Sequence, residues 1–232
     1  NGVTLFMVVH ASLAVLLARL SGTTDIAVGT PIAGRGEQAL DDLIGMFVNT
    51  LVLRSDVDPA QPFSEFLART RETDLSAFAN ADVPFERLVD VLNPSRSQAR
   101  HPLFQVVLSF QEMSHGTLEL PGLTVSADEV EVDMAKFDLQ WTLTEEHTTT
   151  GSLSGLTGVL TYAVDLFDRS TVEELLLRWR RVLGAILADP AVTVGAIDVL
   201  DDAERTDLVT RYGAPAAIAR TLPQLMAQAA RD

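Results

Sequence analysis

Cysteine is absent from all 232 residues. That excludes disulfides, zinc–thiolate centres and a thiol nucleophile. Lysine occurs once, at Lys136. A phosphate-binding loop needs lysine and then a hydroxyl directly after G-x-x-x-x-G. Gly29 and Gly34 have that spacing, but Arg35 and Gly36 stand in the two following places. A helix after them starts only near Glu37, a full turn too late to aim its N-terminus at a phosphate. "DIAVGTPIAGRG" is therefore read as a strand over 25–29 followed by a structural loop that Pro31 stiffens. Positive charge is scarce as well. The chain carries 17 Lys and Arg against 32 Asp and Glu, a formal net charge of −15. Such a balance opposes nucleic acid and anionic membrane, whose phosphates need cations.

Catalytic histidine motifs are lacking too. His10, His101, His115 and His147 are scattered, and none belongs to an H-E-x-x-H zinc motif. "GSLSG" places Ser154 one position too late for a nucleophile elbow, and in a turn between strands. The acidic runs "DDAER" and "EVEVD" read as solvated faces. No self-contained catalytic set is visible, and no metal site is expected.

What is present is apolar and patterned. Hydrophobic residues make up 47% and charged residues 21%, enough for one or two folded domains with a substantial core. Residues 3–18 are nearly all apolar, yet a membrane span needs about 20 residues and a signal peptide needs a basic leader. The run is read as a core helix over 3–20, with His10 packed inside it and Ser21-Gly22 ending it. A cytoplasmic location fits the lack of cysteine.

The rest of the chain mixes strands and helices. Residues 46–58 read as a strand. Phe63, Phe66, Leu67, Thr70, Leu75 and Phe78 recur near helical spacing, so 62–79 is a helix. "DVPFERLVDVLNPS" is a second helix, with Pro84 in its first turn and Asn93-Pro94 as its stop. Residues 103–111 are a strand. Phe137, Leu139, Trp141 and Leu143 alternate in the next, and "LTGVLTYAVDLF" returns as its hairpin partner. A long helix follows, with Ser170 and Glu173 as a capping box and Val172, Leu175, Leu176, Trp179, Leu183, Ile186 and Leu187 on its apolar face. Residues 208–232 are alanine-rich and linker-like. This order implies an α/β fold with antiparallel parts.

Three stretches, in order and spacing, resemble the late motifs of nonribosomal peptide synthetase condensation domains. "IGMFVNTLVLR" resembles (I/V)GxFVNT…R through Gly45, Phe47, Asn49, Thr50 and Arg54. "NADVPFERLVDVLNPSRS" resembles (H/N)QDxPFE through Asn80, Asp82, Pro84, Phe85 and Glu86, with Ala81 where glutamine is usual. "RHPLFQVVLSFQ" resembles the SRxPLF-type run through Arg100, Pro102, Leu103 and Phe104. "DIAVGTPIAGR" is similar to the segment this family carries ahead of them.

The resemblance implies a chloramphenicol-acetyltransferase-like α/β two-layer sandwich. It implies one lobe of a V-shaped pair, the C-terminal lobe over 1–201, with 202–232 as the linker toward an adenylation domain. The family's HHxxxDG motif belongs to the other lobe, and this sequence has no His-His pair. The implied partners are that N-terminal lobe, donor and acceptor carrier proteins with phosphopantetheine arms, and the downstream adenylation domain. No cofactor would be bound directly, and an isolated lobe is expected to self-associate. The implied role is amide formation in peptide antibiotic biosynthesis. A recruitment module without catalysis is the alternative; epimerisation, heterocyclisation and a free-standing acetyltransferase are further readings.

Asn49, Thr50, Ser109 and Gln111 are the candidate channel-lining residues. For Asn49 and Thr50, backbone capping or an inter-strand hydrogen bond is an equal reading. Gly45, Phe47, Asp82, Pro84, Phe85, Glu86, Arg100 and Pro102 are structural motif residues, with Asp82 and Glu86 capping a helix. Arg54 and Arg100 have two readings, ion-pair partner or receptor of a carrier phosphate. Residues 115–125 are the candidate crossing segment.

Overall fold

The apolar run folds as helix α1 (Leu5–Ser21). Thr4 accepts from the Met7 amide, and Gly22, at φ 71°, closes the other end with its amide on the Ala18 carbonyl. Glycine takes that left-handed conformation without a Cβ clash. The computed structural model describes residues 2–34, 42–95, 97, 100–111, 134–148 and 152–212. They divide into two compact units, Asn1–Ile197 and Asp198–Asp232.

The first unit holds a five-stranded sheet in the order β2-β1-β3-β4-β5. Its strands are β1 (Asp25–Ala33), β2 (Val48–Asp56), β3 (Val106–Gln111), β4 (Leu139–His147) and β5 (Leu153–Tyr162). The β1–β2 and β4–β5 pairs are antiparallel, and the two central pairs, β1–β3 and β3–β4, are parallel. The parallel pairs require crossovers. Helices α2 (Phe63–Ala79) and α3 (Phe85–Leu92) lie between β2 and β3 in the chain, and α4 (Arg169–Ala188) follows β5.

Side chains alternate across a strand. Ile26, Val28 and Thr30 of β1 share one sheet face with Leu51 and Leu53 of β2 and with Leu139, Trp141 and Leu143 of β4, all buried. Helix α1 covers this face, flanked by α2 and α4. Phe6 of α1 meets Phe110 of β3 edge-on at 5.6 Å. The Trp179 indole N–H of α4 donates to the Ser12 hydroxyl at 2.9 Å, and that hydroxyl donates to the Val9 carbonyl at 2.8 Å. A buried tryptophan and a buried serine thus satisfy each other inside the core.

Several sequence expectations change. β1 does not stop at Gly29; it runs through Pro31 to Ala33, paired with β2 along its whole length. Glycine inside a strand marks a close approach. A Cβ on Gly29 would lie 2.3 Å from the Phe104 ring. The strand expected over 103–111 starts at Val106, because Leu103 turns the chain at φ 70°. On α2 the buried stripe continues through Asp74, and Leu75 and Phe78 are exposed. On α4, Val182 is buried and Leu187 is exposed.

The capping box expected at Ser170 and Glu173 does not form. The N-cap of α4 is Asp168, and Glu173 instead pairs with Arg169 one turn back at 2.8 Å. A reciprocal box stands in the second unit, at the start of α5 (Asp202–Tyr212). There the Asp201 amide donates to Glu204, at 2.8 Å, and the Glu204 amide to Asp201, at 2.7 Å. So "DDAER", read as a solvated face, opens a helix. Residues 213–232 and the crossing segment expected over 115–125, His115 included, lie outside the described residues.

Candidate functional site

Among the described residues, the sheet face away from α1 is open except where Phe104 packs over Gly29, and three of the four candidate channel residues stand on it. Ser109 of β3 is opposite Thr142 of β4, and Gln111 is opposite Thr144. Thr142 and Thr144 are in turn opposite Val159 and Thr157 of β5. Gln140 shares this face and donates to the Thr142 hydroxyl at 3.3 Å. Thr50 of β2 lies there too, opposite Pro31. Ser109 is buried, Thr50, Thr142 and Thr144 are half-buried, and Gln111 is exposed. The result is a hydroxyl-lined band, ending on β4 at Glu146, whose carboxylate accepts from the Thr157 hydroxyl. Sequence reading found its β3 members from their spacing of two. It passed over Thr142 and Thr144, whose strand was read only for its apolar face.

Asn49 has the opposite parity and turns elsewhere. Its amide nitrogen donates to the carbonyls of Ala81, at 2.8 Å, and Val83, at 2.9 Å. Its Oδ1 accepts from the amides of Thr50, at 2.8 Å, and Phe85, at 3.1 Å. Phe85 is the first residue of α3, and the N-cap residue Pro84 makes no side-chain cap bond. The side-chain oxygen at the start of α3 is therefore that of Asn49, not of Asp82. Asp82 and Glu86 are exposed. Glu86 sits in the first turn of α3, where a negative charge suits the helix dipole.

Behind α3, four rings form one cluster. His101 stacks on Phe85 at 5.4 Å and 24°, and lies 4.3 Å from Phe104 and 5.0 Å from Phe137. Its Nδ1 donates to the Pro102 carbonyl at 2.9 Å, and Gln105 donates to the His101 carbonyl at 3.0 Å. The His101 ring thus packs Phe104 toward Gly29. Arg100 is exposed and forms an isolated bridge with Ser97. Gly45 and the half-buried Phe47 precede β2.

Arg54 is an ion-pair partner. Its Nε and Nη2 reach the two carboxylate oxygens of Asp25 at 2.7 and 2.8 Å. Hydrogen bonding to Arg54 holds the Asp25 carboxyl below the usual carboxylate range. Any stability from this pair is present above the unfolded aspartate pKa and fades as pH falls through the lowered value; exposure keeps it small. A shallow cleft of about 530 Å³ opens beside it, between β2 and α2, lined by Arg54, Glu72 and Asn80 among others. Among the described residues, no group of His, Asp and Glu side chains could hold a metal ion, and no helix is long and apolar enough to cross a membrane.

One buried polar pair was missed by the sequence reading. His10 of α1 and Asp74 of α2 are wholly buried, with Nδ1 2.9 and 3.2 Å from the two carboxylate oxygens. His10 was read as a packed core residue, which it is. Its partner lies 64 positions away, and only the break in the apolar stripe of α2 at Asp74 signals it.

The family model described as "Condensation domain" matches residues 1–209. The chain belongs to the condensation domain family. The domain is 47% identical over 212 residues to a dimodular nonribosomal peptide synthase of Bacillus subtilis, covering 91% of this chain and 9% of the relative. It is 43% identical over 233 residues to an isonitrile lipopeptide synthase of Mycobacterium tuberculosis, covering 98% and 9%. Among solved structures it resembles the X-domain in complex with OxyB from teicoplanin biosynthesis. There the TM-score is 0.79 and the identity 34%, over 87% of this chain and 44% of that one. It also resembles a four-domain nonribosomal peptide synthetase bound to AMP and glycine, with TM-score 0.76 and 26% identity over 86% and 16%. The chain thus spans about a tenth of the curated relatives' length and less than half of the solved X-domain chain. Its fold is the chloramphenicol-acetyltransferase-like α/β sandwich of the condensation domains.

Proposed function

We propose that residues 1–201 are the C-terminal lobe of a condensation domain within a cytoplasmic nonribosomal peptide synthetase, and that 202–232 lead toward an adenylation domain. The complete domain joins a donor acyl or peptidyl group to an aminoacyl acceptor, both held as thioesters on phosphopantetheine arms of carrier proteins. The acceptor amine attacks the donor thioester carbonyl, a C–N bond forms, the C–S bond breaks, and the donor thiol leaves. The amine proton passes to a base or to the thiolate. With the His-His pair absent from this chain, the histidine that assists attack comes from the other lobe. This lobe supplies one wall of the reaction channel, with Thr50, Ser109 and Gln111 facing it.

The observation that carries this reading is the joint one: three motifs in order along the chain, and near half identity to a synthetase along nearly the whole chain. The test is reconstitution. This chain is joined to its native upstream segment and given donor- and acceptor-loaded carriers. Amide product is expected by mass spectrometry from the joined polypeptide, and none from residues 1–232 alone. Failure of the intact domain with both carriers loaded would favour recruitment. The 34% identity to an X-domain found in complex with OxyB makes that the second reading.

A further expectation concerns the isolated chain. Leu43, Ile44, Met46, Val48, Val91 and Leu92 are exposed apolar side chains around β2 and α3. Apolar surface of this kind drives association, and the net charge of −15 opposes it. The isolated chain is expected to self-associate in light scattering, more strongly as added salt screens the charge. A strictly monomeric species at high concentration and high salt would count against this.

A further inference from the structure

We infer that Asn49 is a latch that positions α3 on the sheet, so that the 81–93 segment opens and closes as one unit while β1 and β2 stay paired. Four hydrogen bonds converge on this carboxamide, three of them from the 81–85 turn. They are not interchangeable with a local cap. Oδ1 does the work of an N-cap oxygen for α3, which Pro84 cannot do. Nδ2 meanwhile binds two carbonyls upstream of the helix and ties them to β2. One side chain thus fixes both the start of α3 and its place against the strand.

Among the described residues, little apolar burial holds the helix down. It is eight residues long, too short to persist alone, and none of its residues is buried. Val91 and Leu92 are exposed. A second anchor is the Phe85 ring against His101 and Phe104, and Asp90 makes a further interaction. Elements with few buried apolar groups open at lower free energy than the core. By contrast β1 and β2 are paired over nine residues each, from Asp25–Asp56 to Ala33–Val48. Latch and ring act in series: releasing Asn49 frees Phe85, and Phe85 leaves the His101 and Phe104 cluster. The arrangement also explains why the "VNT" and "DVPFE" stretches accompany each other in this sequence: the first holds the second.

Hydrogen exchange followed by mass spectrometry, in the intact polypeptide that carries this chain, tests the latch. In the unmodified protein, amides of 85–93 are expected to exchange together and faster than those of β1, with little dependence on low denaturant. Asn49→Ala is expected to speed exchange there about ten- to a hundredfold, leaving α1 and β1 unchanged. Asn49→Asp is expected to do the same, since a carboxylate would face two carbonyl oxygens. Adding Pro84→Ser to Asn49→Ala supplies a local cap but no tie to β2, so exchange is expected to stay fast. Restored protection in that double variant would overturn the latch in favour of a simple cap. Equal acceleration in α1 and β1, or no change in 85–93, would also overturn it. If Asn49→Ala fails to fold, the unmodified protein decides: exchange of 85–93 only together with β1 would refute a separable unit.

Discussion

Asp74→Ala is expected to destabilise the domain by about 1–3 kcal/mol, the usual cost of leaving a buried donor without its acceptor. Against a total stability of about 5–15 kcal/mol this is a large fraction. The substitution leaves His10 wholly buried with its Nδ1–H unpaired, in a place where Nε2 has no hydrogen-bond partner among the described residues. Phe6, on the same helix, packs its ring 6.3 Å from the imidazole. Asp74→Asn keeps an acceptor for Nδ1–H and is expected to lose less. Replacing both residues by leucine is expected to recover much of the loss, since an apolar pair needs no partner. Urea unfolding of all four proteins checks this. An Asp74→Ala midpoint within about 1 kcal/mol of the unmodified protein would sink it.

Gly29→Ala is the second large effect. The new methyl would stand 2.3, 2.5 and 2.6 Å from three atoms of the Phe104 ring. A ring at an open surface would swing away. This one is 1% exposed and is boxed by Phe85, His101 and Phe137. Overpacking of this kind costs about 1–3 kcal/mol, and the boxed ring puts the expectation at the upper end. Phe104→Leu in the Gly29→Ala background is expected to restore part of it, although Phe104→Leu alone destabilises. That sign reversal in a double-mutant cycle reports direct contact. Additive losses would mean that the ring yields elsewhere.

Both effects show where the sequence was readable. Helix α1 follows from an unbroken apolar run, α2 and the alternating face of β4 from apolar periodicity, and α3 from its proline start and Asn93-Pro94 stop; all three signals are local and survive in one dimension. The β4–β5 hairpin follows from two strands and a turn. Gly29 is different: its neighbour Phe104 is brought in by a parallel pairing across two helices, and nothing around "AVGTP" announces a ring. Asp74 looks like any charged residue of a helix until α1 is laid beside it. Asn49 could be seen as a polar residue in an apolar strand, but its partners lie 32 to 36 positions on, in a turn with no periodicity. The capping box was sought at α4 because "STVE" has the spacing. An arginine one turn earlier took the glutamate. On the open face, Ser109 and Gln111 were legible from their spacing, while Thr142 and Thr144 join them only through the register of β3 with β4.

The strand order has a consequence for how the chain is made. Residues emerge from a ribosome in sequence, but the sheet is not assembled in sequence. β1 and β2 can zip early, since they are adjacent in the chain and antiparallel. β3 then docks on the other side of β1 only after two helices have been synthesised, and it still lacks its second neighbour. The Trp179–Ser12 bond, which seals the inner face of α1, joins residues 167 positions apart. Helix α1, made ahead of every strand of this sheet, is thus among the last to be covered. Until α4 appears, a nascent chain carries an apolar helix and a half-built sheet in the open, and non-local pairing of this kind is slow. Translation stalled between β3 and α4 leaves the most aggregation-prone intermediate, the interval in which a chaperone has most to do.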